Sequence, residues 1–170
     1  LTGSIGLINL DCSLNGTNYD FINLNLAGFT KLESLNCSEQ PEDGGTSADD
    51  TMEFDISACT GLKTLNCSYC PIETLDVSNL SNLETIDALS EITLDGAVKL
   101  SSLNINCNEI TDLHIPETNE IKTLDCSESL GIETINFAVL TKLESLDVSD
   151  SYVPELDFSI CPDLQLLNAM

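Results

Sequence analysis

A pair of cysteines and a single histidine are the side chains of this sequence whose types could do chemistry. Cys67 and Cys70 have the two-residue spacing that zinc-binding and redox-active pairs share, and His114 is the one imidazole. No second cysteine pair or histidine follows Cys70 at ligand spacing, and no nucleophile, base and orienting group converge around His114. We therefore predict that the chain has no catalytic residue and no metal centre, and that it is not an enzyme.

One loop offers carboxylates that could hold a cation. The stretch PEDGGTSADD, residues 41–50, is rich in glycine and acid, and Asp43, Asp49 and Asp50 would be its oxygen ligands. Its spacing lacks the regular alternation and the terminal glutamate of a calcium-binding hand loop. A solvated surface insertion is the preferred interpretation, and a cation- or partner-binding loop is the alternative. No cofactor is predicted, although the acidic side chains leave calcium open.

The charge balance narrows the classes of partner. The 170 residues include 29 acidic side chains and five lysines but no arginine, which gives a formal net charge of −24. Because nucleic acids and anionic membranes require basic patches, neither is an expected partner. Divalent cations, basic proteins and simple solubility are all compatible with this charge. No apolar run approaches the ~18 residues of a membrane span, so we expect no membrane insertion.

A repeated unit organises the whole chain. Its plainest copy is LKTLNCSYCPIETLDVSNLSNL, residues 62–83, which reads L-x-x-L-x-C, a turn, I-x-x-L-D-V-S and the first leucine of the next copy. First-position residues recur at Leu7, Leu32, Leu62, Leu83, Leu100, Ile121, Leu143 and Leu164. The steps between them are 25, 30, 21, 17, 21, 22 and 21 residues. A period of about 20–29 residues in this form is the leucine-rich-repeat signature.

The alternation within the unit predicts how it folds. Leu65 and Cys67 point to one face of a strand while Asn66 and Ser68 point to the other, so stacked copies can form a parallel sheet over a continuous core. In the second half we expect strand or short 3-10 segments and little helix. The predicted fold is a leucine-rich-repeat solenoid of the α/β horseshoe type, largely β. Residues 1–170 would be a single domain of about seven and a half repeats and, since LQLLNAM stops within a coil, a segment of a longer chain.

Six cysteines fall on inward positions and are interpreted as small buried hydrophobes. Cys12, Cys37, Cys67 and Cys126 share one position, and Cys59 and Cys161 share another. Cys70 is expected to point into the turn that follows the strand. At that turn, Asn15 and Asn108 could bond the backbone of neighbouring coils, but other coils carry Gln40, Cys70, Ser129 and Ser151 instead. We therefore expect a polar ladder at this position to be broken.

The outward residues of the first strands carry the candidate binding site. In-register stacking places equivalent residues about 4.8 Å apart in columns, one of hydroxyls and one of amides and carboxylates. The candidate binding residues, all from the second column, are Asn66, Asp87, Asn104, Asp125 and Asp147. Neighbouring Asp125 and Asp147 would repel each other unless they are solvated or bridged by a cation. The alternative is that these columns are simply a polar face in contact with solvent. The columns contain no aromatic residue, which argues against tight sugar stacking and against a strong protein-binding hot spot there.

The repeat motifs resemble those of a known group of proteins. The segments GLINLDCS, GLKTLNCS, EIKTLDCS, PIETLDVS and KLESLDVS resemble bacterial cell-surface leucine-rich-repeat proteins, particularly secreted ones of the Bacteroidetes type. NCNEITDL is similar to internalin repeats, and DISACTGL and DFSICPDL are similar to BspA-like repeats of the Treponema type. The resemblance covers essentially the whole chain.

This resemblance implies an exported or surface-attached protein that meets a protein or a glycan at the cell surface. We therefore interpret the chain as a non-enzymatic extracellular binding or adhesion module that presents a polar, acidic parallel-sheet surface. The alternative is a structural spacer or stalk within a larger bacterial surface protein. A binding module should lose its partner on face substitutions that leave the fold intact, whereas a spacer should not.

Overall fold

Short strands form where the L-x-L-x-C pattern occurs, because alternate residues there are apolar and stacked copies bury them together. The structure is a computed structural model that describes residues 6–14, 24–39, 54–70, 72–88, 91–106, 111–132, 134–152 and 158–170. On the first side of the coils it contains β1 (Asn9–Asp11), β2 (Ser34–Asn36), β3 (Thr64–Cys67), β5 (Thr85–Ala88), β7 (Ser102–Asn104), β9 (Thr123–Asp125), β11 (Ser145–Asp147) and β12 (Leu166–Asn168). These strands form one parallel sheet in chain order.

Every pairing in this sheet joins equivalent positions of neighbouring coils, so that Leu35 lies opposite Leu65. The register continues across the longest step, between β2 and β3, and across the shortest, between β5 and β7. The repeat positions identified in the sequence are therefore confirmed. The acidic loop 41–50, with its candidate cation ligands, lies outside the described residues.

The second half of four coils forms short strands. Strand β4 (Thr74–Asp76) pairs with β6 (Glu91–Thr93), and β8 (Asp112–Leu113) pairs with β10 (Thr134–Ile135), in both cases parallel. Phe137–Val139 is a 3-10 helix and the one helical segment among the described residues. The expectation of strand or 3-10 structure with little helix on this side is confirmed.

Apolar side chains at the centre of each strand make the core. Leu65, Ile86 and Leu103 are at most 1% exposed, and burying a side chain of this size contributes roughly 1.5–3 kcal/mol. Leu75 and Val77 of the second half belong to the same buried cluster. Because the core runs through the described coils without interruption, the outward residues of the sheet stand on a rigid support.

Surface lysines bridge neighbouring coils on the strand side. The bridges join Lys63 Nζ to Glu33 Oε2 at 2.7 Å, Lys122 Nζ to Glu144 Oε1 at 2.8 Å and Lys142 Nζ to Glu120 Oε1 at 2.6 Å. All six side chains are about half exposed, so each pair is worth at most about 1 kcal/mol. The bridges reinforce the register that the core already determines.

The cysteines are buried thiols, as predicted for the six inward ones. All seven within the described residues are buried. Cys12 directly follows β1, Cys37 directly follows β2 and Cys67 ends β3, so the three stack in adjacent coils. Burial raises the pKa of the Cys67 thiol well above its usual range and that of Cys126 to about 12. These thiols are therefore protonated at neutral pH and pack as small apolar groups.

The polar ladder at the turn, expected to be broken, is intact at its described members. Three side chains there each donate a hydrogen bond to the carbonyl of the inward residue of the preceding coil. The bonds run from Cys70 Sγ to Cys37 at 2.9 Å, from Ser129 Oγ to Ile105 at 3.2 Å and from Ser151 Oγ to Cys126 at 2.6 Å. The expectation of a broken ladder is wrong because a thiol or hydroxyl reaches the same kind of carbonyl that an amide was expected to bond; Cys70 lies at the turn as expected and is buried there. We call these three residues the turn ladder; Asn15, Gln40 and Asn108 lie outside the described residues.

Candidate binding surface

The second outward column of the sheet, which we call the Asx column, brings the five candidate binding residues together. Its described members are Asp11, Asn36, Asn66, Asp87, Asn104, Asp125, Asp147 and Asn168, each opposite the next in the sheet register. Beside it runs a hydroxyl column made of Ser34, Thr64, Thr85, Ser102, Thr123 and Ser145. From Asn36 onward the Asx residues are half-buried, so part of each side chain is available to solvent.

One oxygen of most Asx residues is used by a local turn. Asn66 Oδ1 accepts the backbone N–H of Ser68 at 3.0 Å and its hydroxyl at 2.8 Å, and Asp125 Oδ1 accepts the same two groups of Ser127. The arrangement repeats at Asp11, Asn36 and Asp147, and its backbone bond is present at Asn104. The Asx-x-Ser spacing produces it because a short polar side chain reaches the backbone two residues later. Recognition by this column therefore depends on Oδ2 or Nδ2.

The residue after five of these turns has a left-handed backbone. Its φ lies between 53° and 57° at Leu14, Glu39, Tyr69, Glu128 and Asp150. Such a conformation costs on the order of 1–3 kcal/mol in a non-glycine residue. It is held by stacking, since the N–H of Glu39 donates to the Ser68 carbonyl of the next coil and the N–H of Glu128 donates to that of Ser149. The turn ends the period-two pattern and redirects the side chains that follow.

The carboxylates of the Asx column have different electrostatic environments. Burial, with a smaller contribution from the charge of Asp125, raises the pKa of Asp87 above its ordinary value. At Asp147 the hydrogen bond from the Ser149 hydroxyl, opposed by burial and helped by the Ser149 N–H and Asn168, holds the pKa below its ordinary value. Asn168 Nδ2 donates to Asp147 Oδ2 at 3.0 Å. The repulsion expected between Asp125 and Asp147 is thus offset by neighbouring donors.

These opposite shifts predict opposite effects of removing the two charges. A raised folded-state pKa means that Asp87 favours folding below its unfolded pKa of about 3.9 and loses that contribution as pH rises through the folded value. Asp87→Asn should therefore stabilise the protein at pH 7, by on the order of 0.5 kcal/mol because the group is half-exposed and screened. The gain should disappear near pH 3. Melting temperatures at the two pH values measure it.

Asp147→Asn is the matched control in the same column. Its lowered folded-state pKa stabilises the protein above the unfolded pKa, and the contribution is lost as pH falls through the folded value. The substitution also places an amide against Asn168 Nδ2, so it should destabilise at pH 7 and have a smaller effect near pH 3. If both variants shift the melting temperature in the same direction at pH 7, the assignment of the two environments is wrong.

The side chains of the described residues that could bind a metal are dispersed. Within the residues that the structure describes, no group of three or more histidine, cysteine or acidic side chains is placed to hold a metal ion. Cys67 and Cys70, despite their spacing, are both buried and both face protein groups. His114 is exposed on the second side.

Sequence reasoning missed an exposed apolar pair just beyond the sheet. Leu130 and Tyr152 are 76% and 71% exposed and lie in the turns after β9 and β11. They occupy the same repeat position, 22 residues apart, as do Asp125 and Asp147. That coincidence of spacing is the clue in the sequence, but both residues fall past the left-handed residue, where strand alternation no longer indicates direction.

Of three comparisons with known proteins, the one with solved structures identifies the fold of this chain. A scan against protein-family models finds no match, and neither does a search of curated proteins. Among solved structures, the functional domain of InlJ from Listeria monocytogenes, described as including a cysteine ladder, matches 95% of this chain with a TM-score of 0.62 and 27% identity. The internalin InlF from Listeria monocytogenes matches 95% with a TM-score of 0.59 and 19% identity. This chain is a leucine-rich-repeat solenoid.

The solenoid is similar in fold to the internalins InlJ and InlF, which confirms the resemblance to bacterial leucine-rich-repeat proteins, and its stacked cysteines parallel the cysteine ladder described for InlJ. It spans 38% of the InlJ chain and 54% of the InlF chain. A complex of TLR13 with the RNA ssRNA13 matches 67% of the solenoid and 19% of TLR13, with a TM-score of 0.55 and 22% identity, which shows a shared fold alone. No helix in the described ranges is long and apolar enough to cross a membrane. The neighbours therefore show the leucine-rich-repeat fold of the solenoid.

Proposed function

We propose that this solenoid is a non-enzymatic, extracellular binding or adhesion module that meets a protein or glycan partner across the sheet face. The observation that carries the proposal is the pair of in-register polar columns, the Asx column and the hydroxyl column, on a rigid sheet. The similarity to the InlJ functional domain and to InlF supports an exported, surface-located role.

The atoms offered to a partner follow from the turns. Since Oδ1 is held by the following serine at Asn66 and Asp125, the face presents mainly Oδ2, Nδ2 and the threonine hydroxyls. These are acceptors and amide donors at the coil spacing of about 4.8 Å. Such an arrangement suits a partner rich in hydroxyl or basic groups, and the net charge of −24 disfavours an acidic one.

A spacer within a larger surface protein is the second candidate. It is favoured by the same turns, because an Asx residue whose oxygen closes its own turn has a sufficient structural reason to be present. In that case the columns hold the coils together and any partner meets another part of the protein.

The experiment that separates the two uses lysine substitutions in the hydroxyl column. Thr64→Lys and Thr123→Lys add long cations to the sheet face at exposed positions, and they leave the Asx turns intact. Binding of the purified solenoid to matrix proteins, glycans and cell surfaces is measured by biolayer interferometry. A binding face should lose at least tenfold in affinity, because an unmatched charge in an interface costs more than about 1.4 kcal/mol.

Thr74→Lys is the matched control, since Thr74 is an exposed strand residue on the second side. It should leave binding unchanged. Circular dichroism melts verify that all three variants fold. Saturable binding that all three variants retain equally would contradict a sheet-face site, and an absence of any binding by the folded solenoid would favour the spacer.

A further inference from the structure

The turns after β9 and β11 form a pocket of about 510 Å³ lined by Glu128, Leu130, Asp150, Ser151 and Tyr152. We call it the edge pocket. Leu130 and Tyr152 are among the most exposed large apolar residues of the described chain, and equivalent positions place them side by side in neighbouring coils. Glu128 and Asp150 are likewise equivalent, and both are exposed. The edge pocket therefore combines an apolar wall with two carboxylates.

The backbone beneath the edge pocket is fixed by the turn ladder. Ser151 Oγ accepts the N–H of Ser129 at 3.2 Å and donates to the Cys126 carbonyl at 2.6 Å. Ser129 is fully buried, and its hydroxyl donates to the Ile105 carbonyl. Because each serine separates an acidic residue from an apolar one, these bonds fix the backbone that carries both pairs of outward side chains. A preorganised backbone lowers the ordering cost of binding.

Four of the five lysines of the solenoid are paired with residues outside the edge pocket. Lys63, Lys122 and Lys142 bridge to glutamates on the strand side, and Lys99 Nζ donates to Asn82 Oδ1 at 2.7 Å. With a net charge of −24 and no arginine in the chain, a cation for the edge pocket comes most readily from another molecule. Its apolar wall requires that this cation carry an apolar or planar surface as well.

We propose that the edge pocket binds an arginine side chain from a basic, extended segment of a partner protein. The guanidinium stacks on the ring of Tyr152, the aliphatic stem lies against Leu130, and Glu128 and Asp150 accept its N–H groups. Arginine fits better than lysine because its planar, weakly hydrated head stacks on aromatic faces and presents several donors in one plane. This inference rests on the proposed function of a binding module and names one partner chemistry for a site outside the sheet face.

The test is a titration of the isotope-labelled solenoid with acetyl-Leu-Arg-Leu-amide, followed by amide chemical shifts in 150 mM salt. Shifts should saturate and centre on residues 128–131 and 150–152. The isosteric neutral peptide acetyl-Leu-citrulline-Leu-amide should bind at least tenfold more weakly, since it lacks the charge that the carboxylates and the ring attract. Tyr152→Ser and Asp150→Asn should each weaken arginine-peptide binding about three- to tenfold.

Tyr69→Ser is the matched control, because Tyr69 is also an exposed tyrosine in a turn but lies in another coil. It should leave the titration unchanged, as should Thr123→Lys on the sheet face. Equal affinities for the citrulline and arginine peptides, or an unchanged affinity for the arginine peptide in Tyr152→Ser, would overturn the proposal. Concentration-dependent shifts at these residues without peptide would overturn it in favour of a second copy of the chain. Absence of peptide shifts in a solenoid that binds a partner through the sheet face would overturn the edge pocket alone and leave the proposed function standing.

Discussion

Gly96→Ala is expected to lower the free energy of unfolding by about 3–5 kcal/mol, from backbone strain and overpacking together. Gly96 has φ +89°, which side-chain-bearing residues rarely adopt, and a Cβ placed there would lie 2.0 Å from the Ser78 carbonyl oxygen. Because the obstacle is backbone of the neighbouring coil, it cannot rotate away. Gly96 belongs to the shortest coil, between Leu83 and Leu100, where the second side of one coil packs closely on the next.

Gly28→Ala separates the two causes of this effect. Gly28 holds the same repeat position with φ +91°, but nothing lies within 4 Å of the point that an alanine methyl group would occupy, so only backbone strain of about 1–2 kcal/mol applies. Urea unfolding followed by circular dichroism compares the two variants. The larger loss at Gly96 is the contribution of the clash. Equal losses would mean that the coils at Ser78 and Gly96 are not in contact as the structure has them.

The architecture of the solenoid could be predicted from sequence because one physical requirement repeats in every coil. A strand with Leu65 and Cys67 on one face has to stack to bury them, and the position of the next equivalent leucine then sets the register. Even the long step between Leu32 and Leu62 does not disturb this inference, since an insertion without apolar residues adds nothing to the core. The Asx column was located correctly for the same reason.

What each outward residue does could not be predicted in the same way. Alternation indicates that Asn66 leaves the core, but it does not distinguish a side chain that meets solvent from one that bends back onto Ser68. Beyond the strand, a left-handed residue such as Glu128 changes the direction of the chain, so Ser129 turns inward and Leu130 turns outward against any simple period. The turn ladder and the edge pocket both begin at this point; the ladder was located but expected to be broken, and the edge pocket was missed.

The Asx column and the edge pocket differ in how far their side chains also stabilise the fold. The Asx column closes turns with one oxygen and presents the other atom, so its substitutions affect folding and binding together. The edge pocket keeps these roles apart, since Ser129 and Ser151 hold the backbone while the side chains of Leu130 and Tyr152 remain largely exposed. Substitutions of exposed residues in the edge pocket should therefore change binding at little cost in stability.

Ser129→Ala is expected to lower the free energy of unfolding by about 1–3 kcal/mol, because it removes a buried donor to the Ile105 carbonyl. Ser129→Cys should cost less, within about 1 kcal/mol, since Cys70 makes the equivalent bond to the Cys37 carbonyl elsewhere in the turn ladder. Urea unfolding of both variants provides the comparison, and the thiol variant is the control for the loss of the bond. If Ser129→Ala and Ser129→Cys lower the free energy of unfolding equally, the hydrogen bond does not account for the stabilising effect of the turn ladder.

Ser151→Ala extends this argument to the neighbouring coil. The hydroxyl of Ser151 both accepts the Ser129 N–H and donates to the Cys126 carbonyl, so its loss affects two buried groups and should cost at least as much as Ser129→Ala. Residues within one hydrogen-bond network couple by about 0.5–3 kcal/mol, so the double variant should be less destabilised than the sum of the two single variants. If the losses in free energy of unfolding are strictly additive, the hydrogen bonds of the turn ladder act independently of one another. Coupling would instead show that the coils transmit stability to one another through these hydroxyls as well as through the leucine core.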